Sequence, residues 1–592
     1  MKKRGRILHG RGRVENVLFV AAWSTPLTMV HRVDRTPAVV IQFPAETLTM
    51  RRGTAARGLA IVGAAALLVA GCQLVSGLGE LHVVEVPDAT APLCEAGASQ
   101  PCYSGDPATR GQGACHDGAR VCNAAGDGFE ACKGDVLPDM EENCAGSVDL
   151  DCDGKLPACH GDTQWIHAFG GVGDDRGVAL SSGKGGKAIF AGAFSGSVDF
   201  GNGALVSAGG TDIVVSTIVG DALPDARRLG GSDDDTPGGL CGDNIDNVIV
   251  AGRYRGAIDF GGGVALTNAG DGDGFVTVFD VTTKPLWTVG LGDAAEQEVT
   301  AVVTDEALDV IAVGRLAGTI TTSVGSIATD GTLDFDAFVI KVSPTGQPLW
   351  IHKLADQSFT DQRALSVTVD RAKAVIVGGT GQGDIDLGQG PQPSGGGHDA
   401  FLAKLDSSGA LAWGHLYGDA GDAQAINAVT AATNDDILIA GGFDGTLTFN
   451  QPLTAAGPAT DIFVARLDPA GKPLWSRRFG DASAQTAYAV AVDKFDNVYV
   501  GGTFDGEIDL GIGLAKLVSA GGGDAFLIKL DPGGNPLWGR RGGDAAAQQI
   551  NGIVVDLDGV STVVGTFEGT LDFGSPVVSA GGTDIFLARF AP

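Results

Sequence analysis

Six of the seven tryptophans stand at positions 165, 287, 350, 413, 475 and 538, and the last five lie 62 or 63 residues apart. The first interval, 122 residues, is two periods; the missing member falls at Asp225 in PDARRLGG, which otherwise matches PLWSRRFGD around Trp475. A second marker keeps the same step. Asp212, Asp273, Asp336, Asp399, Asp461, Asp524 and Asp584 each open an apolar stretch such as DIFVARLD, 60 to 63 residues apart. A third is F-x-G-x-x-D-F-G, at Phe194–Gly201, Tyr254–Gly261, Phe504–Gly511 and Phe567–Gly574, degraded in the third repeat at Leu316–Thr321. Three markers on one period mean seven copies of one supersecondary unit between about Trp165 and Pro592.

Each unit reads as four short strands. In the sixth they are AYAVAVD (487–493), NVYVGGTF (497–504), DAFLIKLD (524–531) and PLWGRRGG (536–543). The runs alternate or are continuously apolar and β-branched, Gly, Asp, Asn and Pro bound them, and no 3.6-residue stripe is sustained. Four-stranded sheets without helices to cover them must pack sheet on sheet around an axis. The expected fold is therefore all-β: a seven-bladed β-propeller of four-stranded antiparallel blades over residues 161–592. The last repeat stops at DIFLARFAP without its tryptophan strand, and the region opens on an orphan copy of that strand, TQWIHAFGG. Closure of the ring is expected if the strand of Trp165 joins the last blade beside Asp584–Phe590, which removes an open edge. An open solenoid would instead need polar caps, and none is visible. The repeats resemble the bacterial β-propeller repeat called SBBP, through their D-x-F-[LV] and G-N-x-x-x-G-like strands, over about 428 residues. That resemblance implies seven blades and no agreed biochemical activity.

The N-terminal part gives an address. From Met50, a basic flank (Arg51, Arg52, Arg57) precedes an apolar run of 14 residues, Gly58 to Gly71. The run is too short to span a bilayer as a helix but suits a secretory signal. It ends at Val69-Ala70-Gly71-Cys72, which resembles the lipobox of bacterial lipoproteins and implies that Cys72 is lipidated and becomes the new N-terminus. A buried apolar helix with an incidental cysteine is the bland alternative. Residues 1–49 read as an over-extended start or a disordered leader, 50–71 as the signal peptide and 72–93 as a spacer. The expected location is the bacterial cell envelope, lipid-anchored at the outer membrane or cell surface.

Residues 94–160 form a cysteine-rich neck: Cys94, Cys102, Cys115, Cys122, Cys132, Cys144, Cys152 and Cys159, with no CxxC pair. Zinc would need close ligand pairs, so an exported chain favours four disulfides, in a connectivity the sequence leaves open. The cross-links stand in for a core, since the segment has little apolar content. Cys241, alone in the repeats, reads as a small buried residue. Asp149, Asp151 and Asp153 with Gly154 follow D-x-D-x-D-G, which can converge on calcium. His160 occupies the twelfth position, so the loop is no EF-hand. Glu142–Gly154 instead resembles the Cys/Asp-rich metal-binding motif of bacterial surface proteins, although Ala145 replaces one acidic residue and Ser147 looks inserted. A solvated acidic turn between disulfides is the alternative.

Charge narrows the partners. There are 71 acidic and 40 basic side chains, net −31, and loss of residues 1–71 removes 11 basic and 3 acidic groups to leave −39. Nucleic acid and bare anionic membrane are thereby excluded as partners, and membrane contact comes through the lipid. Loops after the fourth and second strands should share one face. The first set carries Asp293, Asp356, Asp419, Asp481 and Asp544, and the second is Gly-rich and variable. An aspartate that recurs in every blade suits backbone capping better than one active site. His167, His352 and His415 each follow a tryptophan by two residues, one per blade, and cannot converge. No G-x-S-x-G, HExxH or P-loop is present, so no catalytic residue is assigned. The expectation is a non-catalytic binding or scaffold module for a surface or matrix protein or polysaccharide. The rival is a carbohydrate-active hydrolase or lyase using the acidic loop face.

Overall fold

The repeat resolves into seven four-stranded antiparallel sheets. The computed structural model describes residues 93–138, Cys152 and 161–592 apart from 184–186, 330–333, 355–359, 420–422 and 512, together with the backbone of four short strands between Arg4 and Gln42. The chain divides into two units, Met1–Ala91 and Pro92–Pro592. In the first, Arg4–Leu8 pairs with Val14–Leu18, and Thr28–Val30 with Val40–Gln42. Cys72 lies outside the described residues, as do Cys144, Cys159, Asp149, Asp151 and Asp153. In the second unit, a hairpin of Ser99–Cys102 and Gly118–Val121 is held by disulfides Cys94–Cys122, Cys102–Cys132 and Cys115–Cys152.

Blade 6 shows the common plan. Gln485–Val492, Val498–Phe504, Asp524–Leu530 and Pro536–Gly542 pair in that order, from the inside outward. The third strand is buried along its whole length, since both faces meet neighbouring sheets. The variable segment between the second and third strands is not the open loop its glycines suggested. It folds into a small hairpin arm, Ala257–Asp259 with Ala265–Thr267 in blade 2 and Thr570–Asp572 with Pro576–Val578 in blade 7. The third sequence marker encodes this arm. Its first aromatic ends the second strand in the core (Tyr254, Phe504, Phe567), and its aspartate accepts an N–H bond two residues on, as Asp259 does from Gly261 at 2.8 Å.

The tryptophans staple blades together at the outer rim. The indole N–H groups of Trp287, Trp350, Trp413 and Trp475 donate to the carbonyls of Pro344, Ser407, Pro469 and Pro532, in the turn before the outermost strand of the next blade. The glycine of each such turn lies flat under the ring, and a Cβ on Gly346 or Gly534 would sit 3.0 or 2.8 Å from it. Beneath the indoles, the third strands of blades 3–6 bury Lys341, Lys404, Arg466 and Lys529 against Asp305, Asp370, Asp436 and Asp493, and blade 7 sets a half-buried Arg589 against Asp556.

The ring closes as the chain ends required. Thr163–Phe169 pairs with Asp584–Phe590, Trp165 opposite Arg589 and Phe169 opposite Ile585. Gly161 then stands in for the missing turn glycine of blade 7: it lies under Trp538, and its carbonyl accepts from Arg540 Nε at 2.8 Å. The inner rim is also joined, with Asn551 Nδ2 donating to the Gly177 carbonyl at 2.7 Å. Blade 1 departs from the plan, because its outermost strand is only Arg227–Leu229. There Asp225, in the tryptophan position, accepts from the Thr217 N–H at 2.7 Å and from the Ser216 and Thr217 hydroxyls at 2.9 Å, so a side chain replaces ladder bonds.

Candidate functional site

The acidic loop face is mostly framework. Asp293, Asp481 and Asp544 each cap the N–H two residues on, take the amide of Gln297, Gln485 or Gln548 at 2.8 to 3.0 Å, and accept the N–H of Thr319, Glu507 or Thr570 in the hairpin arm. These bonds place the two loop sets on one face, as expected. The Ala546 and Thr570 N–H groups hold the Asp544 carboxyl below the usual range. Asp356 lies outside the described residues, and Gly445 abuts Asp419 in the same way that Gly506 abuts Asp481. The aspartates that open the third strands are buried too: Asp461 and Asp524 accept from Ala456 and Ala520 N–H at 2.7 Å and pair with Arg478 and Arg541.

Blades 1 and 2 move this carboxylate four residues along. Gly171 and Gly231 occupy the aspartate place, and Asp175 and Asp235 the glutamine place, accepting from the glycine N–H groups at 2.8 and 2.7 Å. Burial, reinforced by Asp212, pushes Asp235 up to about 7. A raised carboxyl pKa means that the folded state holds the proton, so the cost of ionising it grows as pH rises from about 4 through 7. Asp235→Asn is therefore expected to stabilise the protein by about 2 kcal/mol at pH 8 and to change little below pH 4, read from urea unfolding at both values.

Within this frame the funnel mouth varies. Every innermost strand carries a bulge, whose unpaired residue is Val178, Gly238, Thr300, Leu365, Asn427, Tyr488 or Asn551 in blades 1 to 7. Three of them reach the next blade: Thr300 donates to the Ala364 carbonyl at 2.6 Å, Asn427 to Ala487 at 2.9 Å, and Asn551 to Gly177. Tyr488 is the aromatic of the set. It sides a cavity of about 300 Å³ with Asn427, Thr380, Thr460, Thr486 and His398, and burial raises its hydroxyl pKa. The opposite sector is charged. Glu296 accepts from Arg253 at 2.7 Å and Arg315 at 2.9 Å, Glu298 accepts from Arg315 at 2.8 Å, and Arg315 lies 4.3 Å over the Phe335 ring.

These groups stand outside the acidic, Gly-rich loop face expected from the sequence. The signal was available in their failure to repeat, since the residue matching Tyr488 differs in all six other blades. The histidines are placed as expected: His167, His352 and His415 lie tilted against Trp165, Trp350 and Trp413, ring centroids 5.2, 5.2 and 5.1 Å apart, one per blade. Burial lowers the pKa of His352 and His415. Cys241 is buried, its thiol pushed up to about 12 by desolvation. Among the described residues no group of three His, Cys, Asp or Glu is arranged to hold a metal ion.

Residues 474–506 match the family described as SBBP, a β-propeller repeat. That segment runs from the stapling strand of blade 5 into the hairpin arm of blade 6. The regulatory protein FlaEY of Caulobacter vibrioides is 28% identical over 185 residues, 30% of this chain and 19% of FlaEY. An uncharacterized WD repeat-containing protein, L264 of Acanthamoeba polyphaga mimivirus, is 26% identical over 128 residues, 21% of this chain and 9% of that protein. The chain thus spans a fifth or less of either relative. Among solved structures, Chaetomium thermophilum Sqt1 aligns with a TM-score of 0.33 at 10% identity, covering 73% of this chain and 98% of Sqt1.

Proposed function

We propose that this protein is a lipid-anchored component of the bacterial cell envelope, at the outer membrane or cell surface, whose propeller is a non-catalytic binding and scaffold module. The observation that carries the reading is the contrast at the loop face: a framework of capped aspartates repeats, while the funnel residues it supports differ from blade to blade. A rigid scaffold presenting variable groups is how binding surfaces are built. Neutral amides and hydroxyls beside the Tyr488 ring suit a saccharide ring of a surface or matrix polysaccharide, with a surface protein as the other partner class. The disulfides of the neck accord with export, the Arg51–Cys72 segment supplies the anchor, and Asp149, Asp151 and Asp153 would take calcium.

Glycan and surface-protein arrays probed with the full chain, with and without calcium, test this. Binding is expected on one glycan class, weakened at least tenfold by Tyr488→Ala with an unchanged melting midpoint. The enzyme reading draws on Glu296, at a position that is Asp174, Asp234 and Asp361 in blades 1, 2 and 4, and on Glu298, which no other blade matches with an acid. Both carboxylates are engaged by arginine, which favours binding over proton transfer. Cleavage of a bound saccharide, abolished by Glu296→Gln, would overturn the proposal.

A further inference from the structure

In blade 1 the cluster beneath the tryptophan is replaced at every member. Where blades 3–7 have a lysine or arginine, a turn aspartate and an indole, blade 1 has Thr217, Gly183 and Asp225. The facing blade changes with it. The turn glycine that lies under the ring in blades 3–6 is Thr283 in blade 2, at φ 66°, a left-handed conformation that strains a β-branched residue. Its Cβ is tolerated there because no indole presses on the turn.

The lost volume leaves a cavity of about 140 Å³ between the two blades, walled on one side by Ile189, Val215 and Val248. Arg227 lines it, with its guanidinium 4.2 Å over the Phe279 ring, and Lys187 stands at the edge. Arg227 makes no side-chain hydrogen bond or ion pair among the described residues, and its Nε is buried. At the same strand position Arg477 and Arg540 bond the carbonyls of Gly534 and Gly161. The nearby acids are engaged elsewhere. Asp225 is taken by Ser216 and Thr217, and Asp280 by the N–H groups of Thr282 and Lys284 in its own turn. Burial pulls Arg227 down to about 10. A largely desolvated cation without a hydrogen-bonded counter-ion is costly, and an anionic ligand would remove that cost.

We propose that this cavity binds an aliphatic monocarboxylate, the carboxylate on the Arg227 fork and the short carbon chain along the wall of Ile189, Val215 and Val248. The planar guanidinium matches a carboxylate, and Lys187 adds charge at the entrance. Asp225, Asp246 and Asp280 around the opening penalise a dianion more than a monoanion, which disfavours phosphate. The carboxylate belongs either to a free short-chain acid or to the C-terminus of a partner chain.

Calorimetric titration of the full chain tests the site, with butyrate as probe and butyramide and inorganic phosphate as controls. A short peptide ending in valine, with its terminus free or amidated, separates the two sources, since tighter binding of the free peptide than of butyrate assigns the chain terminus. Butyrate should bind saturably and weaken at least tenfold in Arg227→Gln. It should weaken equally in the double variant Asp225→Trp/Thr283→Gly, which rebuilds the staple of the other blades and keeps the measurement open if Arg227→Gln fails to fold. No saturable carboxylate binding, equal binding of butyramide or phosphate, or binding indifferent to either folded variant overturns the assignment.

Discussion

A chain beginning at Val172 is expected to lose its monomeric propeller. Removal of Thr163–Phe169 strips the outermost strand from blade 7 and exposes the edge of Asp584–Phe590, whose Phe586, Leu587 and Phe590 are buried in the closed ring. Trp165, Ile166 and Phe169 pack half-buried against the cores of blade 7 and its neighbour, each contributing about 1 kcal/mol of apolar burial. The ladder bonds of seven residues go with them, at about 0.5 to 1.5 kcal/mol each. Relative to a chain starting at Gly161, the melting midpoint should fall by about 10 °C. Size-exclusion chromatography should show dimers or aggregates, because the bare edge recruits another strand. Adding back a peptide of residues 161–171 should restore part of the loss. No change in midpoint or mass would show that the strand is a passenger.

Asp305→Ala should produce the largest effect of any single substitution discussed. Lys341, with 4% of its side chain exposed, donates to Asp305 Oδ2 at 2.8 Å and lies 3.2 Å from Asp309, and Asp305 itself is 1% exposed. Burial opposes the ionisation of Asp305, but the Lys341 contact overrides it and holds the carboxyl below its ordinary range. The alanine leaves a buried ammonium with one weaker partner, at a cost of about 3 kcal/mol near pH 7. A depressed carboxyl pKa contributes stability above the unfolded value, about 4, and loses it as pH falls through the folded value. The variant and the parent should therefore converge at acid pH. Adding Lys341→Met should recover most of the stability, since an apolar side chain of similar length fills the space without a charge. Urea unfolding at pH 7 and pH 3 checks both statements.

Topology was legible because it is written many times. The tryptophan, aspartate and F-x-G-x-x-D-F-G markers each serve one structural task per blade: stapling the next blade, capping the loop, and seating the hairpin arm. Seven repetitions average out local ambiguity, and the missing strand at Phe590 matched by the surplus one at Trp165 told how the ring closes. The arms themselves were harder to read. Segments such as GIGLAKLVSAGGG carry too few β-formers to announce strands, and pairing there depends on the Phe504 and Asp509 anchors.

The candidate site was the least legible part, for the opposite reason. A repeat argument looks for what recurs, whereas Tyr488 and Glu298 matter by not recurring, and Arg227, which recurs as Arg477 and Arg540, matters by the partners it lacks. Reading Asp225 as a gap in the tryptophan series identified the place where blade 1 differs. The partner change at Thr283, and the cavity both leave, needed the neighbouring blade in three dimensions.

Circular closure is the claim on which the blade count, the shared loop face and the funnel all depend. Peptide-level hydrogen–deuterium exchange on the full chain tests it most directly. Amides of residues 163–169 should exchange as slowly as those of 585–590, hours rather than seconds, and the 585–590 amides should lose that protection in the chain that starts at Val172. Exchange of 163–169 within seconds, with 585–590 unaffected by their removal, would contradict the closed ring.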